Sequence, residues 1–206
     1  MPIAARTRSG GFGGREEFRK YTKDNGIDAI IDATHPFAAR ISRRTAEVAA
    51  SEGIPCLHVV RPPWTPGPGD RWTEIDEPAE AAAILPVGAR VFLAVGRQTL
   101  RAFGPLPGRT LYCRQIDKAK EPFPWPGGEF VIGRPPFSVE EEEALFRRLC
   151  IDWLVVKNAG GEASRSKLDA ARRLDLPVLM LNRPPLPPGP VVETVDAAVA
   201  WLRGLG

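Results

Sequence analysis

The chain is poor in the residues that build metal centres and disulfide frameworks: its 206 residues include three cysteines and two histidines. Cys56, Cys113 and Cys150 are far apart and odd in number. That argues against a disulfide scaffold or a zinc site and for a reducing, cytoplasmic setting. No Cys/His cluster has metal-ligand spacing, so no metal is expected. Long apolar runs are absent as well. None approaches the roughly 18 residues of a membrane span, and the arginine-bearing start has no apolar secretory core. A net charge of +3 is too small to point to nucleic acid. Neither a Gly-x-Ser-x-Gly elbow nor a Walker loop occurs, which sets aside a serine hydrolase and a P-loop kinase.

What remains is an ordinary soluble composition. At 43% hydrophobic and 26% charged residues, the chain can bury a real core, as one domain or two small ones. Its prolines and glycines punctuate periodic segments and form no low-complexity tract. The pattern predicts helices over 15–25, 37–52, 80–85, 139–149, 167–174 and 195–202, with a helical turn from Gln98. Strands are predicted over 29–32, 56–60, 91–95, 111–114, 130–133, 153–156 and 178–181. Strands alternating with helices give βαβ units and mainly parallel sheets, an α/β fold. The Pro/Gly-rich stretch between Arg61 and Pro86 is the best place for a domain boundary.

The densest chemistry lies in Asp32-Ala33-Thr34-His35-Pro36-Phe37, directly after the apolar run Ala29-Ile30-Ile31. A strand ending in a carboxylate, then turning into a helix, puts these side chains where open α/β sheets bind ligands. Thr34 or His35 can equally cap that helix, with Pro36 in its first turn. Both readings stand at this point. Gly10-Gly11-Phe12-Gly13-Gly14 opens the first helix. It suits either a flexible turn or close backbone approach to an anion at the helix N-terminus.

Cations recur at strand ends: Arg61, Arg97, Arg134, Lys157 and Arg183 each stand at or just past a predicted strand. Converging along one sheet edge, they would focus a positive field on a polyanionic small ligand, phosphate or carboxylate. Solvated loop cations are the plainer alternative. Glu140-Glu141-Glu142-Glu143 reads as a solvated first helical turn, with Ser138 and Glu141 as a capping box. His58, inside a short apolar strand, reads as a satisfied core histidine.

Taken in order, G-G-F-G-G at Gly10–Gly14, I-D-A-T-H-P-F-A-A-R-I-S at Ile31–Ser42 and R-P-P-W at Arg61–Trp64 begin a familiar series. Gly96-Arg97-Gln98, R-P-P-F-S at Arg134–Ser138, V-K-N-A-G-G at Val156–Gly161 and V-L-M-L-N-R-P at Val178–Pro184 continue it. The succession resembles the precorrin-6A reductases of cobalamin biosynthesis. That resemblance implies two Rossmann-like domains with mainly parallel sheets. The first, over 1–76, would bind the nicotinamide cofactor and be N-terminally truncated. The second, over 77–206, would contribute to substrate binding. The implied reaction is hydride transfer from NADPH to a carbon–carbon double bond of precorrin-6A, giving precorrin-6B. In the anaerobic branch the substrate is the cobalt form and NADH can serve.

On the same grounds Arg6, Thr7, Gly11, Phe12, Gly13, Gly14, Asp32, Thr34, His35 and Pro36 are expected at the cofactor. Arg97, Gln98, Arg134, Phe137, Ser138, Lys157 and Asn158 are expected at the tetrapyrrole. His35 is the candidate proton donor. The family's opening strand and G-G-T-type turn have no counterpart here, and Ala4-Ala5-Arg6-Thr7 resembles a segment where an adenosine 2′-phosphate would lie. A βα-plus-strand unit of roughly 30 residues is therefore expected to be missing. A complete chain would be a monomer; the truncated one would expose a sheet edge and be poorly soluble or oligomerise. Two alternatives stand beside the reductase. One is a truncated, non-catalytic nucleotide- or tetrapyrrole-binding protein; the other is a pathway enzyme such as a methyltransferase.

Overall fold

The computed structural model describes residues 6–206. Ala4 and Ala5 of the segment expected near a 2′-phosphate lie outside them. The chain forms two compact units, one of residues 1–61 and 185–206, the other of Pro62–Pro184. The sequence had suggested a single cut at 76/77, and two short strands account for the difference.

The first unit holds α1 (Arg15–Asp24), β1 (Ile30–Asp32), α2 (Ala39–Glu52), β2 (Cys56–Val59), β9 (Val191–Val192) and α7 (Val195–Arg203). Its parallel sheet runs β1-β2-β9. Helix α1 carries Glu16 and Glu17 in its first turn and Lys23 in its last, as the helix dipole favours, and buries Phe18 and Thr22. Helix α2 stops at Gly53, whose φ of 67° is a left-handed cap that the glycine adopts without a Cβ penalty. Strand β9 is too short to read from sequence. His58 and Val59 pair with it, which returns the C-terminal segment to this unit.

The second unit holds β3 (Trp72–Ile75), α3 (Ala81–Ile84), β4 (Arg90–Ala94), α4 (Arg97–Leu100), β5 (Thr110–Gln115), β6 (Gly128–Ile132), α5 (Val139–Arg148), β7 (Trp153–Lys157), α6 (Ser166–Arg173) and β8 (Val178–Leu181). All its pairings are parallel, in the order β3-β8-β7-β4-β5-β6. The central strands read as continuous apolar runs because both faces are covered. Val91, Phe92 and Leu93 of β4, and Leu154, Val155 and Val156 of β7, are all buried. Phe146 of α5 and Leu168, Ala170 and Ala171 of α6 close one core over Phe92, Leu154 and Met180. Among the described residues no helix is long and apolar enough to cross a membrane.

Loops at the carboxyl ends of β7 and β8 are tied to the segment before β3. The buried Asn158 side chain accepts the Trp64 N–H at 2.8 Å and donates to the Trp64 carbonyl at 3.0 Å. The Trp64 indole N–H reaches the Gly161 carbonyl at 2.9 Å. Arg183 donates to the carbonyls of Asn158, Ala159 and Pro62 at 2.7, 3.0 and 3.2 Å. Inside this knot Gly160 has a φ of 69°, and a Cβ there would fall 2.1 Å from the Pro62 carbonyl oxygen.

Gly160→Ala therefore carries both left-handed strain and a backbone clash. Gly53→Ala carries strain alone, since nothing lies within 4 Å of its added Cβ. In urea denaturation Gly53→Ala is expected to lose about 1 kcal/mol, and Gly160→Ala at least about 3 kcal/mol. Equal losses would mean that the knot yields freely.

Candidate functional site

The six-stranded sheet reverses its order at β4, with β5 and β6 on one side and β7 and β8 on the other. Loops leaving the carboxyl ends part at such a reversal and leave a crevice. A cavity of about 460 Å³ lies there, lined by residues that follow β4, β5, β6 and β7. Four cations (Arg97, Arg114, Lys118 and Lys167) and two acids (Asp117 and Glu142) line it.

Its organising contact is buried. Glu142, only 1% exposed, receives two guanidinium nitrogens of Arg114 at 2.5 and 2.7 Å. The Arg114 guanidinium lies between the rings of Phe92 and Phe137, 4.8 and 4.3 Å from their centroids. Lys167, in the first turn of α6, is bonded to the Ser164 carbonyl. Burial pushes its pKa down to about 8; the Glu142 charge raises it and the Arg114 charge lowers it further. The Gln115 side-chain nitrogen, in the same wall, is buried without a protein partner among the described residues.

The structure corrects the reading of the glutamate run. Glu142 sits four residues before Phe146, on the inward face of α5, so it is drawn into the core with Arg114 as its counter-ion. Glu140 and Glu143 bond Arg173 instead of standing free in solvent. The capping box of Ser138 and Glu141 forms as expected.

Of the residues expected at the tetrapyrrole, Arg97 and Phe137 line the cavity. The others stand elsewhere. Arg134 is exposed and pairs with Asp117. Ser138 caps α5, and Gln98 is exposed on α4. Lys157 is half-buried at the end of β7, where burial lowers its pKa. Asn158 has its amide committed to Trp64, and Arg183 serves backbone carbonyls. Arg61 follows β2, in the first unit. Sequence reasoning missed Arg114, Glu142 and Lys167. Arg114 was legible as one more strand-end cation; the other two needed the helix faces.

In the first unit, a cavity of about 410 Å³ lies at the ends of β1 and β2, lined by Thr34, His35, Pro36, Arg61 and Glu193 among others. Helix α2 begins at Ala39 and not at Phe37, and neither Thr34 nor His35 caps it. Their polar atoms lock the strand tip. Asp32 accepts the Thr34 N–H at 3.0 Å, an Asx-type turn, and its other oxygen lies 3.3 Å from His58 Nδ1. His35 Nδ1 accepts the Phe37 N–H at 3.2 Å. Burial raises the Asp32 pKa, but hydrogen bonds from Ser42 and Thr34 and the charge of His58 outweigh it, so the net shift is downward. Asp32 and Pro36 are buried; Thr34 and His35 are exposed.

The glycine loop is open at Gly10 and Gly11, where an added Cβ meets nothing within 4 Å. At Gly14 a Cβ would lie 2.7 Å from a Glu17 carboxylate oxygen, so an acid of α1 already sits at the helix N-terminus. Phe12 stacks on Phe18 at 4.3 Å and anchors the loop, with the Arg8 guanidinium 4.7 Å from its ring centroid. Arg6 reaches Asn25 at 3.4 Å, and Thr7 is exposed. Arg8 was not foreseen.

A family model described as precorrin-6x reductase CbiJ/CobK matches residues 2–203. The chain is 46% identical over 202 residues to a precorrin-6A reductase of Rhodococcus erythropolis, covering 96% of this chain and 80% of that protein. It is 41% identical to the precorrin-6A reductase of Rhodobacter capsulatus, with 97% and 80% covered. A cobalt-precorrin-6A reductase of Priestia megaterium is 27% identical, with 90% and 76% covered. Among solved structures, a CobK precorrin-6A reductase superposes with a TM-score of 0.92 at 41% identity, over 97% of this chain and 82% of its own.

Glu142→Gln leaves the Arg114 charge buried without its counter-charge. It is expected to lower stability by about 3–5 kcal/mol in chemical denaturation; a loss under about 1 kcal/mol would show that Arg114 finds water. Asp32, with a lowered folded-state pKa, contributes fully above the ordinary carboxylate range and loses that contribution as pH falls through its folded value. Asp32→Asn is accordingly expected to cost about 1–3 kcal/mol near pH 7 and to narrow the gap to wild type near pH 3. Parallel denaturation midpoints at the two pH values would contradict this.

Proposed function

The chain belongs to the precorrin-6x reductase family, and on that premise we propose that it reduces a carbon–carbon double bond of precorrin-6A to give precorrin-6B, with NADPH as reductant. The observation that carries the reading is the cationic cavity at the strand-order reversal. A precorrin bears many acetate and propionate carboxylates. Arg97 and Lys118, exposed at that cavity, can pair with them, and the Phe137 ring offers an apolar face to the macrocycle.

The first unit supplies what a dinucleotide needs, with one adjustment. Open backbone at Gly10 and Gly11, flanked by Arg6, Thr7 and Arg8, fits phosphate groups. The α1 N-terminus does not, because Glu17 lies there. Thr34 and His35 line a separate strand-end cavity that suits the nicotinamide. When bound, the reduced nicotinamide supplies a hydride to one carbon of the double bond. The other carbon takes a proton. His35 is the candidate to deliver it, because the hydrogen bond accepted by Nδ1 leaves Nε2 as the proton-bearing atom of the neutral ring. The protein's share is positioning and electrostatics. The scarcity of cysteine suits a cytoplasmic enzyme.

Purified protein given precorrin-6A and NADPH is expected to oxidise one NADPH for each tetrapyrrole that gains two hydrogens, followed by absorbance and mass. Arg8→Ala and Arg6→Ala should each weaken NADPH about tenfold or more while sparing NADH, since a charge-assisted bond to the 2′-phosphate is lost. Equal weakening of both cofactors would remove these arginines from the 2′-phosphate. No turnover with either cofactor would defeat the reductase reading.

A further inference from the structure

Of the cations lining the cavity, Arg114 is already neutralised by Glu142, and Arg97 and Lys118 are exposed. Lys167 differs from all three. It is half-buried, its ammonium is 5.7 Å from the Trp64 ring centroid, and among the described residues it donates to the Ser164 carbonyl. The charged groups that face it from neighbouring elements are Glu142 on α5 and Arg114 on β5. Farther round the same cavity stand Arg97 of α4 and Asp117 and Lys118 beyond β5, with Asp117 engaged by Arg134. On its own side of the chain, Arg165 and Asp169 pair with each other.

We propose that Lys167 is the residue that anchors a substrate carboxylate in this cavity, with the Arg114–Glu142 pair as its fixed and charge-neutral backing. The inference rests on the reading of precorrin-6A as substrate and assigns one residue a distinct part in it. A neutral pair adds little net attraction, whereas exposed cations share a ligand with water and salt. A half-buried ammonium acts through a lower dielectric, so its bond to a carboxylate is stronger and more directional. The Glu142 charge keeps that ammonium from being lost to burial, and Arg114 keeps Glu142 from closing on it as a private partner.

This arrangement has a measurable signature. With its pKa near 8, the free amine is divided between charged and neutral forms around that pH. An arriving carboxylate favours the charged form and raises the pKa. Binding therefore takes up protons near pH 8. Well below that pH it takes up almost none, because the amine is already charged.

Calorimetric titration of the full chain with precorrin-6A, in two buffers of different protonation enthalpy, reads this directly. Wild type is expected to take up about half a proton near pH 8 and close to none near pH 6.5. Lys167→Met should bind roughly ten- to a hundredfold more weakly and take up none. Lys167→Arg, always charged, should keep affinity within a few fold and also take up none. NADP+ titrated in parallel should show no uptake that depends on Lys167. Uptake that survives in either variant, or a Lys167-dependent uptake on NADP+, overturns the assignment. Precorrin-6A binding without proton uptake in wild type overturns the role of Lys167 alone, while absence of binding overturns the substrate reading with it.

Discussion

The clamp between Asn158 and Trp64 is the constraint on which the second unit turns. A buried primary amide needs partners for both its oxygen and its nitrogen, and the Trp64 backbone supplies both. Leaving either unmet would cost about 1–3 kcal/mol. Because Asn158 follows β7 directly and Trp64 precedes β3, the clamp fixes where the chain enters the sheet's outermost strand. Arg183, following β8, donates to the neighbouring carbonyls of Asn158, Ala159 and Pro62. Three segments distant in sequence, around 62–64, 158–161 and 183, thus meet in one knot. The loop that leaves this knot runs through Gly161 and Ser164 into α6, which carries Lys167 to the cavity. The position of a cavity cation therefore follows from an amide that never touches the cavity.

The second determinant is the Arg114–Glu142 pair. Its geometry is bidentate, and the guanidinium also lies 4.8 and 4.3 Å from the ring centroids of Phe92 and Phe137. Such a pair is a poor source of stability, since desolvating both ions offsets most of their attraction. What it fixes is orientation. With Arg114 held between Phe92 and Phe137, the loop after β6 and the face of α5 keep one relation to β5. Phe137 thus lines the cavity in contact with the ion pair that holds its neighbourhood in place.

Much of this was legible in the sequence, and the gaps have physical causes. Strand β8 is read to the residue, because a four-residue apolar run between a proline and an asparagine has no other use. Helix α5 is read to within one residue from its capping box. Strand β3 escaped notice because Trp72-Thr73-Glu74-Ile75 lies in a proline-rich stretch, and an edge strand has no need of a continuous apolar run. The two-residue β9 exists only through its pairing with β2. Side chains in loops were the least readable. Asn158, Arg183 and Arg134 carry the residue types of a ligand site, yet each meets a partner within the unit that no spacing along the chain reveals. Composition could place cations at strand ends; only packing could tell which of them a backbone carbonyl or an acid had already engaged.

Both cavities follow one rule. Each has one acid turned inward, Asp32 to Thr34, Ser42 and His58, and Glu142 to Arg114, and one left at its surface, Glu193 and Asp117, the latter paired with Arg134. The inward acid of each is held as an ionised internal ligand and is thereby withdrawn from ground-state contact with a polyanion. What each cavity then presents includes a hydroxyl, an imidazole and a guanidinium in one case, and ammonium, guanidinium and an aromatic ring in the other. For a reaction in which a cofactor supplies the electrons and the substrate is rich in carboxylates, exposed acids would only repel. Burying Asp32 and Glu142 shapes each site and lowers the count of acids at its surface, and pairing with Arg134 offsets the charge of the Asp117 that stays there.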